Sequence, residues 1–114
     1  MRAFLEYNQE DQISLDKELY ALGLYVGIQE LRFSNGFEFN VETDDEIVPE
    51  ETLVPPMIMQ PLIENAIEHG IRDKEDGVIT LSYQLQDGSL IMKLTDNGIG
   101  RTKAAQIPKA KDSL

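Results

Sequence analysis

Apolar residues in the first third of the chain fall at helical spacings. Leu15, Leu19, Leu22 and Val26 form an i, i+4, i+7, i+11 stripe, and Leu24, Ile28 and Leu31 broaden it. Ser14 suits the N-cap of that helix, with Asp16 in its first turn. Gly23 and Gly27 weaken the helix but permit close packing. Beyond an Asn35-Gly36 turn signal, Phe37, Phe39 and Val41 alternate with Glu38, Asn40 and Glu42, as on a half-buried strand. The run from Thr43 to Leu53 is acidic, contains Pro49 and reads as a surface loop. A second helical pattern follows in Met57, Ile58, Leu62, Ile63, Ala66 and Ile67. Pro55 and Pro56 fit its start, Pro61 falls in its first turns or kinks them, and Gly70 fits the C′ residue that stops it. A charged connection, Arg72 to Gly77, leads into Val78 to Leu85, with Ile79, Leu81, Tyr83 and Leu85 on one face. Gln86-Asp87-Gly88-Ser89 turns that strand back into Leu90 to Thr95, a hairpin. The elements predict an α+β fold, a two-layer sandwich with helices on one face of a mixed, mostly antiparallel sheet.

Two stretches carry candidate chemistry. Asn65 and His69 are four apart on the second helix and share a face. An Asn amide oxygen is a neutral hard ligand of the kind Mg²⁺ accepts, with waters and phosphates filling the other positions. Taken alone, Asn65 also reads as a helix-surface polar residue, and His69 as a last-turn His favoured by the helix dipole. The second stretch is Asp96-Asn97-Gly98-Ile99-Gly100, at the end of the last strand pattern. Gly98 and Gly100 allow backbone to approach closely. The carboxylate of Asp96 accepts hydrogen bonds and cannot donate, so it would favour adenine, whose exocyclic amine donates, over guanine, which has a carbonyl there. An ordinary Asp-Asn-Gly turn is the alternative. In this order, with strand-like runs between them, the two stretches look like two walls of one nucleotide pocket.

Composition narrows the field. At 114 residues the chain is one small domain or part of one. With no cysteine, disulfides and thiolate metal sites are excluded. No apolar run approaches the roughly 20 residues needed to cross a bilayer, and the N-terminus turns polar too soon for a signal peptide. A net charge of −11 argues against a nucleic-acid surface. The charge is uneven: Arg101, Lys103, Lys109 and Lys111 place four of the ten basic residues within eleven positions free of acids. Such a segment could neutralise phosphates locally, or could be a solubilising tail.

The two stretches resemble the nucleotide boxes of sensor histidine kinases of the LytS/YehU branch, which have a GHKL (Bergerat-like) ATP-binding domain. Ile63 to Gly70 looks like that branch's N-box, and Asp96 to Gly100 like its first glycine box. The resemblance extends to the run from Ser14 to Phe33 and to Val54-Pro55-Pro56, so it covers most of the chain. It implies a helical lead-in from the dimerisation region over residues 1–33 and an ATP-binding domain over 34–114, cut within the ATP lid. It implies ATP and Mg²⁺ as cofactors, with Asn65 as metal ligand and His69, Gly70, Asp96, Gly98, Gly100, Arg101 and Lys103 around the nucleotide. Glu64 and Asn65 are the catalytic candidates. The parent kinase would phosphorylate a histidine outside this chain and then a response regulator, from the cytoplasmic part of a membrane-anchored sensor. The partners implied are the dimerisation and phosphoacceptor region and the response regulator, with no nucleic acid and no membrane contact by this chain.

The sequence also departs from that branch. The upstream phosphoacceptor box and the second glycine box are absent, and His69 is the sole histidine. Glu68 stands where the branch often has a basic residue. Ala104 to Leu114 is expected to be mobile, and the chain alone inactive as a kinase. A nucleotide-binding or degenerate GHKL-type signalling module without phosphotransfer is the alternative function.

Overall fold

The computed structural model describes residues 12–33, 36–72 and 74–98, together with a strand over 102–108. A two-residue strand β1 (Ile13–Ser14) leads directly into helix α1 (Leu15–Glu30). Ser14 occupies the N-cap position, but its side chain makes no capping bond. The Leu15 N–H instead donates to the Thr52 carbonyl at 2.7 Å, so the helix start is tied to a distant segment. Strand β2 (Glu38–Thr43) follows, then a 3₁₀ turn at Pro49–Glu51 and strand β3 (Leu53–Val54), which pairs antiparallel with β1. The acidic run is thus a structured connection, and Ile47 within it is buried. Helix α2 (Gln60–Asn65) continues into a π-helical turn at Ala66–Gly70.

The main sheet has the order β2-β4-β5-β6, with β4 Val78–Gln86, β5 Ser89–Asp96 and β6 Thr102–Pro108. β2 runs parallel to β4, while β4, β5 and β6 pair antiparallel. The β4–β5 hairpin closes through Asp87 (φ 52°) and Gly88 (φ 79°). Two successive positive φ values match the right-handed twist of the strands, which is why Asp-Gly is favoured there. Ile79, Leu81, Tyr83, Leu90, Met92 and Leu94 line one sheet face and are buried against Leu15, Leu22 and Val26 of α1 and Met59, Ile63 and Ile67 of the second helical segment. The result is the expected α+β two-layer sandwich.

Four local expectations are corrected. Leu24, Ile28 and Leu31 are exposed, on the side of α1 opposite its buried residues, so they do not broaden the core stripe. Pro55 and Pro56 do not start a helix: Met57 has φ 57°, outside the helical region, and α2 begins at Gln60 with Pro61 in its first turn. Gly70 is not a left-handed C′ residue but ends the wide turn, where the Ile71 N–H donates to the Ala66 carbonyl at 3.0 Å. The stretch expected to be mobile from Ala104 contains β6 as far as Pro108, because its backbone completes the hydrogen-bond ladder of β5. Of the Asn35-Gly36 turn, only Gly36 is among the described residues, as is none of the first eleven residues.

Candidate nucleotide site

The site forms where the end of the second helical segment meets the end of β5. A side-chain carbon added at Gly70 would lie 2.7 Å from Asp96 Oδ2, and one added at Gly98 would overlap the Gly70 carbonyl. Only glycines allow the two segments to come this close. The turn after β5 therefore seats directly on the last residue of the wide turn. Π-helical turns cost backbone regularity and recur at functional sites; here the turn ends with Gly70 against the Asp96 carboxylate. Asp96 is buried, and its Oδ1 accepts the Gly98 N–H at 2.9 Å.

Asn97, which the sequence reading passed over as a turn residue, clamps this corner. Its Oδ1 accepts the Val78 N–H at 2.8 Å and its Nδ2 donates to the Asp76 carbonyl at 3.0 Å. Its own N–H donates to the Val78 carbonyl at 3.1 Å. The side chain thus ties the end of β5 to the start of β4 and fixes the direction in which Asp96 leaves the sheet.

Asn65 is half-buried at the end of α2, just over one turn before Gly70. Its amide makes no hydrogen bond or ion pair among the described residues. His69 is exposed in the last turn. Glu64 and Glu68 lie toward α1. The Glu68 carboxylate is 3.6 Å from Arg32 Nη2, which also donates through Nη1 to Gln29 Oε1 at 2.7 Å. Burial raises the Tyr25 phenol above its ordinary value, and the negative charges of Glu64 and Glu68 raise it further against the opposing Arg32. Glu68, where the resembled branch often has a basic residue, is therefore turned to a cation in the turn after α1. Gly100 and Arg101 lie outside the described residues. Lys103 pairs through its backbone with Leu94 in the β5–β6 ladder, and its side chain is not described.

The start of the segment was also missed. Glu18 of α1 is 1% exposed, and the Met57 N–H donates to both its oxygens, at 3.0 and 2.9 Å. Burial raises the Glu18 carboxyl above its ordinary value, with the Met57 N–H pulling the other way. The nearby Tyr83 hydroxyl is buried without a hydrogen-bond partner among the described residues, and burial together with the Glu18 charge pushes it well above the usual phenol range. Elsewhere, an open cleft is lined by Glu30, Glu38, Glu75 and Asp76. Its four carboxylates make it a poor seat for a polyphosphate.

No protein-family model matches the chain. Individual relatives do. Sensor protein LytS of Oceanobacillus iheyensis is 35% identical over 101 residues, 88% of this chain and 17% of that protein. Sensor histidine kinase YpdA of Escherichia coli is 31% identical over 122 aligned positions, 100% of this chain and 21% of that protein. Sensor protein kinase HptS of Staphylococcus aureus is 37% identical over 92 residues, 81% of this chain and 17% of that protein. The chain thus spans about a fifth of the length of these relatives. Among solved structures, the catalytic domain of histidine kinase ThkA superposes with a TM-score of 0.54 at 15% identity, covering 82% of this chain and 60% of that domain. ThkA in complex with the response regulator protein TrrA gives 0.52 at 13% identity, over 76% of this chain and 25% of that one. In sequence the chain belongs with LytS-type sensor histidine kinases, and its fold is that of a histidine kinase catalytic domain.

Proposed function

We propose that this chain is the ATP-binding part of a sensor histidine kinase, with adenine held at Asp96 and Mg²⁺ at Asn65. The observation that carries the proposal is the seating of Gly98 on Gly70 beside a buried Asp96. It brings a base-selective acceptor and the end of the Asn65-bearing segment into one corner. The donor set fits: Asn65 offers a neutral oxygen with no protein partner among the described residues, and a lone protein ligand suits an ion that keeps waters and phosphate oxygens. His69, Gly70, Gly98, Gly100, Arg101 and Lys103 would surround the nucleotide, the two cations acting on its phosphates. Glu64 is assigned to orientation of the site or polarisation of the acceptor.

When bound, ATP with its metal supplies the γ-phosphoryl group, and the chain's own residues position it and balance its charge. The acceptor is a histidine outside this chain, in the dimerisation and phosphoacceptor region. A response regulator receives the group from there. On this reading residues 1–33 lead in from that region, 34–114 belong to the ATP-binding domain, and the domain works on the cytoplasmic side of a membrane-anchored sensor.

Calorimetric titration with Mg²⁺-ATP tests the reading. Asp96→Asn is expected to weaken ATP binding by about 1–3 kcal/mol, the range for mismatching a buried polar group. Unchanged affinity with an intact fold removes Asp96 from the adenine site. Asn65→Ala should weaken Mg²⁺-ATP much more than metal-free adenosine. Equal losses for the two ligands would make Asn65 a structural residue.

A further inference from the structure

Met57 is the only residue between β3 and α2 with a left-handed φ, 57°. For a side chain with a Cβ that region costs roughly 1–2 kcal/mol, so something must hold it. The Met57 N–H enters the core and is taken by both oxygens of Glu18, a carboxylate 39 residues earlier and 1% exposed. A charge-assisted bond of this kind is about twice as strong as a neutral one. Three residues later α2 begins, and five residues after that comes Asn65. Farther along, Arg32, in the turn that follows α1, reaches Glu68. Helix α1 and the turn after it therefore hold the Asn65-bearing segment on both sides of Asn65, through a buried carboxylate of the helix before it and an ion pair from the turn after it.

We propose that Glu18 is a positioning residue of the nucleotide site: by holding Met57 in its left-handed turn it sets where α2 begins and where Asn65 stands relative to Asp96. This deepens the ATP-binding reading and rests on it. Asp96 is carried by β5 and clamped by Asn97, so Glu18 acts on the metal side of the site and leaves the adenine side alone.

The complete chain is titrated with Mg²⁺-ATP and with metal-free adenosine, and the Asn65 side-chain amide is followed by nuclear magnetic resonance without nucleotide. Glu18→Ala should shift the Asn65 signal and weaken Mg²⁺-ATP roughly five- to thirtyfold, the equivalent of the left-handed cost. Adenosine affinity should change less than about twofold. Combining Glu18→Ala with Met57→Gly should restore both the Asn65 signal and Mg²⁺-ATP affinity, because glycine adopts a positive φ without help. A residue that merely filled the core would not be rescued by removing a second side chain. Should Glu18→Ala not fold, Glu18→Gln, which keeps one acceptor oxygen, gives the same pattern at smaller amplitude and the same rescue. An Asn65 signal unmoved by loss of Glu18, or no rescue by Met57→Gly, overturns the proposal. If the unaltered chain binds no Mg²⁺-ATP, the ATP reading falls, and the Asn65 signal alone still decides whether Glu18 positions that residue.

Discussion

The segment carrying Asn65 is fixed at its two ends by different physics. At its end, Gly70 and Gly98 fit because nothing projects from either, and backbone rests on backbone. At its start, Met57 is held by a full charge buried among apolar side chains. The first contact is steric and tolerates no added atom. The second is electrostatic, costs desolvation of a carboxylate, and depends on a partner from another helix. A site built this way has one wall set by shape and another that responds to whatever α1 does.

The comparison breaks most sharply at Gly98. A methyl group there meets the Gly70 carbonyl, which is backbone and cannot rotate away. Gly98→Ala is expected to lower stability by about 3–5 kcal/mol, as backbone clashes at packed positions do, read as a fall in the urea midpoint. Gly70→Ala should cost less, because the group it meets is the Asp96 side chain, which can shift. A Gly98→Ala protein as stable as the parent would mean that the corner is loose. Asn97→Ala probes the same end more gently. It leaves the Val78 N–H and the Asp76 carbonyl without their side-chain partner, in an exposed place where water substitutes. A loss near 1 kcal/mol is expected, within the usual range for one hydrogen bond, together with faster hydrogen exchange at the Val78 amide.

The two ends were unequally legible in the sequence. Asp96 and Gly98 stood out as candidates because a carboxylate at a strand end followed by a glycine is a local signal, and the close approach of Gly98 to Gly70 is what the structure adds. The β4–β5 hairpin was legible for the same reason, with Asp87-Gly88 between alternating apolar runs. The left-handed turn at Met57 was not, since the paired prolines before it read as a helix start and its support lies 39 residues away. Glu18 carried no local signal in the sequence: it stands with Asp16 in the first turn of α1, where acids are common. Nor could spacing tell which side of α1 is covered: apolar residues go most of the way round it, and the exposed set includes Tyr20 at 72% and Ile28 at 61%. Arrangement in space also hid the parallel pairing of β2 with β4, the clamp formed by Asn97 and the strand at Thr102–Pro108, each of which depends on what the partner segment presents.

The smallest effect is the most direct measure of the electrostatic end. Burial, the larger influence, raises the Glu18 carboxyl above 4.5, and the Met57 N–H only partly offsets it. Between 4.5 and that raised value the folded chain holds a proton that the unfolded chain has released. Stability contributed by this group is therefore full below 4.5 and falls as pH climbs through the folded value. Each pH unit by which burial raises the group removes about 1.4 kcal/mol at neutral pH. Tyr83, whose hydroxyl is shifted further upward, stays neutral across this window and adds no slope. Glu18→Gln does not titrate but keeps an oxygen for the Met57 N–H. The stability of the Gln variant relative to the parent should therefore increase as pH rises from 4 to 7, in urea titrations at successive pH values. A relative stability that stays flat or falls over that range would mean that the Met57 N–H outweighs desolvation, and that the charge at this end stabilises the turn at no cost in burial.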